Sequence, residues 1–283
     1  MHVLVTGAAG NLGSKLISHL QDADWCSGIT GIDPKPMESA GKLRAIVGDL
    51  RDPTDKRWTA VVGEADAIVH FAAQNPWPDS SWPEAAQSID MTLNLLNRVG
   101  DRPCRFVFAS SNHVMGGYKD VPLPAGELLT ADTPPMPGTR MFDGRQYITP
   151  QAYGGSKLIG ERAVMAKATA SNGQFTGVNI RIGWVQRGEN RPETINANGG
   201  GTNHGPGQPD AEEVERAMTW FRGMWLSNRD FAHLLQRALR APADNWPKRA
   251  ILVSGVSNNS GTAWSHAAGR DYLDYQPIDD VTK

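Results

Sequence analysis

The chain has 283 residues, 40% of them hydrophobic and 20% charged, which suits one large α/β domain or a nucleotide-binding domain with a smaller lobe. Lys and Arg total 28 against 30 Asp and Glu, a net charge of −2, so there is no basic footprint for nucleic acid and no polybasic membrane patch. Two cysteines, Cys26 and Cys104, are too few for a disulfide framework and point to a reducing compartment.

The first predicted strand, His2 to Thr6, runs into Gly7-Ala8-Ala9-Gly10-Asn11-Leu12-Gly13 and then a helical stretch from Ser14 to Leu20. Strand, glycine-spaced turn and helix in that order cradle a pyrophosphate. The first glycine allows the turn, the second admits the phosphates, and the third lets the helix pack close. The free N–H groups at the helix start favour the anion. Ile29 to Asp33 reads as a second strand, ending in an acid 20 positions after Gly13. A carboxylate there accepts hydrogen bonds from the adenosine ribose hydroxyls and repels a 2′-phosphate, so the expected cofactor is NAD.

Leu43 to Leu50 reads as a third strand whose end, Asp49-Leu50, would flank an adenine, or whose acid would simply cap the next turn. Ala67 to Ala73 is a continuous apolar strand of the kind buried on both faces of a parallel sheet, and Ala72 and Ala73 would let the cofactor pass close to the backbone. His70, inside that strand, reads as a satisfied core histidine. Gln74 and Asn75 follow at the strand's carboxyl end, where ligands sit in open α/β sheets. A helix is expected over Ser88 to Val99, and a strand over Arg105 to Ser111 that ends in hydroxyls and continues into Asn112 and His113.

Residues 119–149 are irregular and proline-rich. A helix from about Pro150 carries Tyr153 and Lys157, four apart and so on one face. Gly177 to Gly183 is a further strand, and 186–211 a long glycine- and proline-rich loop of the kind that forms lids or binding segments. Helices over Ala211 to Met224 and Asn228 to Leu239, then a strand over Ala250 to Gly255, complete the pattern. The expected architecture is a Rossmann-like, doubly wound parallel sheet, with residues 1–183 as the cofactor domain and 184–283 as a small, interleaved substrate-binding lobe. No apolar run approaches the roughly 20 residues that span a bilayer. The first strand starts too close to Met1 for a signal peptide. A cytoplasmic location is expected, with no membrane partner and no metal.

A free tyrosine with a pKa near 10 is a poor base, and a lysine one turn away stabilises its phenolate. Ser111 at a strand end could hold the substrate oxygen against Tyr153 while hydride leaves the carbon. The order of glycine loop, strand-end serine and Tyr-x-x-x-Lys resembles the extended, epimerase/dehydratase-like branch of the short-chain dehydrogenase/reductases. Thr6 to Gly13, Asn94-Leu95-Leu96 and Tyr272 to Pro277 are similar to that branch's cofactor loop, helix signature and ending. Ala109 to Gly116, Met224 to Ser227 and Gly255 to Asn259 resemble uronate dehydrogenase and related sugar dehydrogenases. The resemblance implies NAD-dependent oxidation of a pyranose C1 hydroxyl to a lactone, with Ser111, Tyr153 and Lys157 catalytic and Asn112 and His113 on sugar hydroxyls.

Two departures bear on the substrate. Trp184 stands where the family has serine, and the family's carboxylate-binding arginine has no obvious counterpart. Arg187, Arg191, Arg216 and Arg222 are the candidates to anchor an anionic group, with Arg222 nearest the Trp225-Leu226-Ser227 landmark. The expected partners are a small, acidic sugar and further copies of the chain. The alternatives are a nucleotide-sugar epimerase or dehydratase that retains its NAD, which needs a larger lobe, and an NAD-binding regulator without turnover, which would not need both Tyr153 and Lys157.

Overall fold

A computed structural model describes residues 1–100, 102–199 and 203–283. The chain alternates strand and helix: β1 (His2–Thr6), α1 (Asn11–Asp22), β2 (Gly28–Asp33), β3 (Leu43–Val47), α2 (Lys56–Thr59), β4 (Ala67–His70), α3 (Trp82–Val99), β5 (Cys104–Ser111), β6 (Met141–Phe142), β7 (Tyr147–Ile148), α4 (Ala152–Ala170), β8 (Phe175–Ile182), α5 (Ala211–Gly223), α6 (Asn228–Arg240), β9 (Ala250–Gly255) and α7 (Ala267–Leu273). A 3-10 helix over Asn112–Lys119 continues directly from β5. Seven strands form one parallel sheet in the order β3-β2-β1-β4-β5-β8-β9. That is the doubly wound architecture expected from the sequence.

The continuous apolar strands are buried on both faces, as parallel strands must be. On one face Leu16 and Leu20 of α1 and Leu234 and Leu235 of α6 pack over Val3, Val5, Val178 and Ile180. On the other, Leu95 and Leu96 of α3 and Val164 of α4 pack over Leu4, Ile68 and Phe106. A third core gathers Val114 and Met115 with Leu129, Trp220, Phe221, Trp225 and Trp264.

Some boundaries differ from those expected. β3 and β4 end three residues early, so Asp49-Leu50 and Phe71 to Ala73 lie in loops beyond the sheet. The helix expected from Ser88 begins at Trp82, because Ser81 and Glu84 form a reciprocal capping box and Pro83 suits the first turn. The irregular segment before α4 contains the β6–β7 hairpin, whose Met141↔Ile148 and Phe142↔Tyr147 pairs are too short to show a period in the sequence. β9, from the proposed second region, completes the edge of the same sheet beside β8.

Candidate active site

The glycine loop is held tightly. Gly7 has φ +67°, in the left-handed region, and a Cβ there would lie 2.9 Å from the Ala72 nitrogen. A Cβ on Gly13 would strike the Gly7 carbonyl, so α1 comes closer to the turn than any side chain permits. Gly10 caps α1 without a side-chain bond, and no acid sits in the first turn, leaving those N–H groups to an anion. Asp33, at the end of β2, is buried, and its two carboxylate oxygens accept from the Ala9 and Lys35 amides at 3.1 and 2.9 Å. A carboxylate has lone pairs beyond these two for ribose hydroxyls. These features fit a dinucleotide.

The remaining candidates for that cofactor divide. Leu50 is buried in the core, and its carbonyl accepts from Asn94 at 2.9 Å, which explains the asparagine in the Asn94-Leu95-Leu96 signature. Asp49 is taken up by Arg51, whose Nη2 lies at 2.6 Å, and this bond holds its carboxyl below the usual range. Arg51 also reaches Gln74 and Gln87. Ala72 donates its amide to the Thr6 hydroxyl at 3.3 Å, and Ala73 is half-buried beside it. Asn11 turns away from the turn, its side chain donating to the Val185 carbonyl at 2.9 Å. Leu12 packs at the edge of the first core.

The carboxyl end of β5 and the start of α4 meet. The Ser111 hydroxyl accepts from the His113 amide at 3.2 Å and faces the Tyr153 phenol closely enough to favour its ionised form. Lys157 is buried one turn further along α4, its ammonium donating to the Ala109 carbonyl at 2.8 Å and lying 5.8 Å from the Tyr153 ring centre. Burial pushes that ammonium down to about 8. The expected depression of the tyrosine is not present in this geometry. Burial raises the phenol above its usual value, and the facing Ser111 hydroxyl offsets only part of the rise. The lysine charge is directed at a backbone carbonyl instead.

His113 stands edge-on to Tyr153 at 5.9 Å, with Nδ1 and the buried Thr139 hydroxyl 2.7 Å apart. Burial pushes its pKa down to about 4, so the ring is neutral at ordinary pH. Asn112 is 1% exposed, and neither end of its amide has a partner among the described residues. Such an orphan is expensive in a folded interior. His70 is the core histidine expected, bonded to Thr6 and Thr92 through its two nitrogens and pushed down to about 3 by burial, with the Lys157 charge adding.

The peripheral candidates separate further. Asn75 donates to Glu84 at 3.2 Å and accepts from the Trp77 amide, so it braces the start of α3. Trp184 bridges to Trp225 and packs edge-on to Phe221 at 5.1 Å, joining the third core. Arg222 does not turn toward β5. Its guanidinium donates to the Val281 carbonyl at 3.0 Å, because the C-terminal tail passes that side of α5. Arg216 pairs with Glu213, Glu212 and Asp120 and lines a separate cavity of about 540 Å³ with Tyr118, Trp220 and Trp264. Arg191 pairs with Glu189 at the surface. Arg187 alone of the four is exposed with no ion pair among the described residues. Thr139 was invisible in the sequence, since nothing in a proline-rich segment announces a contact to a residue 26 positions away. Among the described residues no helix is long and apolar enough to cross a membrane, and no cluster of three His, Cys, Asp or Glu could hold a metal.

The chain and its fold are similar to known proteins. The chain is 29% identical over 290 residues to an NAD-dependent glucose-6-phosphate dehydrogenase of Haloferax volcanii, covering 98% of this chain and 93% of that protein. It is also 29% identical over 287 residues to an L-arabinose 1-dehydrogenase (NAD(P)(+)) of the same organism, covering 98% and 96%. The crystal structure of uronate dehydrogenase from Agrobacterium tumefaciens superposes with a TM-score of 0.69 at 26% identity, covering 99% of this chain and 85% of that one. Residues 3–186, which hold the glycine loop, Ser111, Tyr153 and Lys157, match the NAD dependent epimerase/dehydratase family, and the chain belongs to it.

Proposed function

We propose that the protein is an NAD-dependent dehydrogenase that oxidises the C1 hydroxyl of an aldose or sugar acid to the lactone. The observation that carries this reading is the convergence of Ser111 at the end of β5 with Tyr153 and the buried Lys157 of α4, on the sheet edge that also carries the glycine loop. The three relatives act, by their names, on an aldose phosphate, an aldose and a uronate. Their common element is the sugar, and they differ in the group it carries.

Residues 1–183 would hold the cofactor and residues 184–283 the substrate lobe. Gly7, Gly10, Gly13 and the start of α1 would receive the pyrophosphate, and Asp33 the adenosine ribose. Asp49, Leu50, Ala72 and Ala73 would border the nucleotide. NAD, when bound, accepts the hydride from C1 and brings a positive charge to the site. Ser111 would donate its hydroxyl hydrogen to the substrate oxygen and hold it against Tyr153. The Tyr153 oxygen would take the hydroxyl proton as C1 becomes a carbonyl carbon. Lys157 and the positive charge of the cofactor would together stabilise the phenolate, whose formation burial opposes. Asn112 would satisfy its amide on a ring hydroxyl, and neutral His113, fixed by Thr139, would offer a second polar contact. Arg187 is the arginine left to meet an anionic group.

The test is a panel of aldoses, uronic acids and aldose phosphates with NAD, followed at the NADH absorbance. Turnover of one class with release of NADH supports the reading. No turnover, with NAD recovered from the purified protein after denaturation, supports a retained-cofactor epimerase instead.

A further inference from the structure

Behind the Ser111–Tyr153 pair lies a fully buried polar cluster that no step above uses. Glu161 of α4 is 0% exposed and Arg181 of β8 only 3%. Glu161 Oε1 accepts from Arg181 Nε at 2.9 Å and from the Ser110 hydroxyl at 2.5 Å, while Oε2 accepts from Arg181 Nη2 at 3.0 Å. Arg181 Nη1 reaches the Met115 sulfur at 2.9 Å. One two-pronged ion pair therefore joins α4, β8, the end of β5 and the 3-10 helix that follows β5.

The proposed active residues stand on the same two elements as members of this cluster. Ser111 follows Ser110, and Asn112 and His113 fall between Ser110 and Met115. Tyr153, Lys157 and Glu161 recur every four residues, which puts them on one face of α4. A buried ion pair adds little net stability over apolar residues of similar volume. What a planar fork on a carboxylate adds is direction, because both bonds form only at one orientation and one axial position of the helix. We propose that Glu161 and Arg181, with Ser110, are positioning residues for the reaction: their pair sets the rotation and axial register of α4 on β5, and so the gap between the Ser111 and Tyr153 hydroxyls. The inference rests on the dehydrogenase reading for its catalytic meaning, but the gap itself can be measured without turnover.

Glu161 stands one turn from Lys157 on α4, so removing one charge of the pair alters the field at that ammonium. Glu161→Gln keeps the shape of the side chain and leaves the Arg181 charge unopposed. The midpoint of the kcat–pH profile should then move about one unit to acid, because an extra positive charge nearby favours deprotonation. A merely structural role would leave that midpoint in place.

The decisive variant is Glu161→Leu with Arg181→Met, which removes both charges together and avoids leaving one buried alone. It should fold, and by quenching of tryptophan fluorescence it should bind NAD within about 3-fold of the parent. kcat should fall at least 30-fold. Its crystal structure should show the Ser111–Tyr153 hydroxyl separation changed by 0.5 Å or more. Arg181→Lys, which keeps the charge and loses the fork, should still lose about 10-fold in kcat. An unchanged hydroxyl separation in the double variant, or parental kcat in a folded double variant, overturns the proposal. If the parent turns over no sugar, the dehydrogenase reading fails while the crystallographic comparison still decides this one.

Discussion

Tyr153, Lys157 and Asp33 have sharply different environments, and each makes its own prediction. Tyr153→Phe keeps the ring against His113 and removes only the phenolic oxygen that faces Ser111. Turnover should fall about 10²–10⁴-fold, the usual share of a general acid–base group, with NAD affinity by fluorescence titration nearly unchanged. Lys157 has a folded pKa of about 8, below lysine's usual 10.5. The folded chain thus holds fewer protons than the unfolded chain between those values, and stability contributed by this group rises with pH across that window. Below pH 8 the protein bears the full penalty of a buried ammonium. Lys157→Met should therefore raise the unfolding free energy from urea denaturation at pH 7 by about 2 kcal/mol, after allowance for the lost bond to Ala109, while abolishing turnover. The gain should vanish near pH 10.5. Equal or lower stability at pH 7 would mean that the ammonium is better solvated than its burial indicates. Asp33, buried and held by two amides, cannot swing away from a 2′-phosphate. kcat/KM for NAD should exceed that for NADP by about 30-fold or more, equivalent to roughly 2 kcal/mol.

At the scale of elements, α4 decides how well the site is formed. Gly160 sits in the middle of this helix, where glycine ordinarily costs about 1 kcal/mol relative to alanine. The reason is contact: a Cβ there would run into the ring of Phe108, which is buried in β5. Gly160→Ala should destabilise by about 1–3 kcal/mol in urea unfolding, as overpacking does, and should lower kcat more than it raises the KM for NAD. A more stable variant would show that α4 has room to move. The same helix shows why part of the site was legible. Tyr153 and Lys157 declare themselves by a four-residue spacing that the helix imposes, and Glu161 extends it. Ser111 declares itself because hydroxyls end an apolar strand. Thr139 and the β6–β7 hairpin carried no such signal, because two-residue strands have no period and their partners are set by packing. Arg222 misled for the opposite reason. Nearness in sequence to a landmark says nothing of which side of α5 a guanidinium takes, and the tail carbonyl of Val281 claims it.

At the scale of the whole molecule, residues 203–210 of the second long segment are joined to the hairpin of the first, and Glu213 fastens them to α5. The His204 and Gly207 amides donate to the carbonyls of Asp143 and Gly144, joining the second segment to the hairpin of the first. Tyr147 of that hairpin donates to Asp210 at 2.7 Å, and Asp210 caps α5. Arg140 lies over the Tyr147 ring at 3.8 Å and donates to Glu213 at 2.9 Å. The same carboxylate takes Arg216 at 2.7 Å and the fully buried ammonium of Lys119 at 2.6 Å. Lys119 closes the helix that begins at Asn112, so Glu213 links the site's own helix to both segments and to α5. Removing its charge leaves three cations facing Asp120, one of them with no exposed side-chain surface. Breaking a buried pair on one side costs about 3–5 kcal/mol. Glu213→Gln should lower Tm by about 8 °C or more, on the usual scaling for a chain of this size. Cleavage by trypsin should concentrate in 120–150 and 186–210. The pH dependence follows from the same contacts. Burial pushes the Glu213 carboxyl up, and the Lys119 and Arg216 bonds pull it further down, so its folded pKa lies below the usual value. A depressed carboxyl contributes stability that is present above its unfolded pKa and lost as pH falls through the folded one. The parent should therefore become protease-sensitive in these segments only in acid, below about pH 4. Glu213→Gln should be sensitive at pH 7, with little further change on acidification. A variant that resists trypsin at pH 7 as the parent does would show that the two segments hold together without this carboxylate.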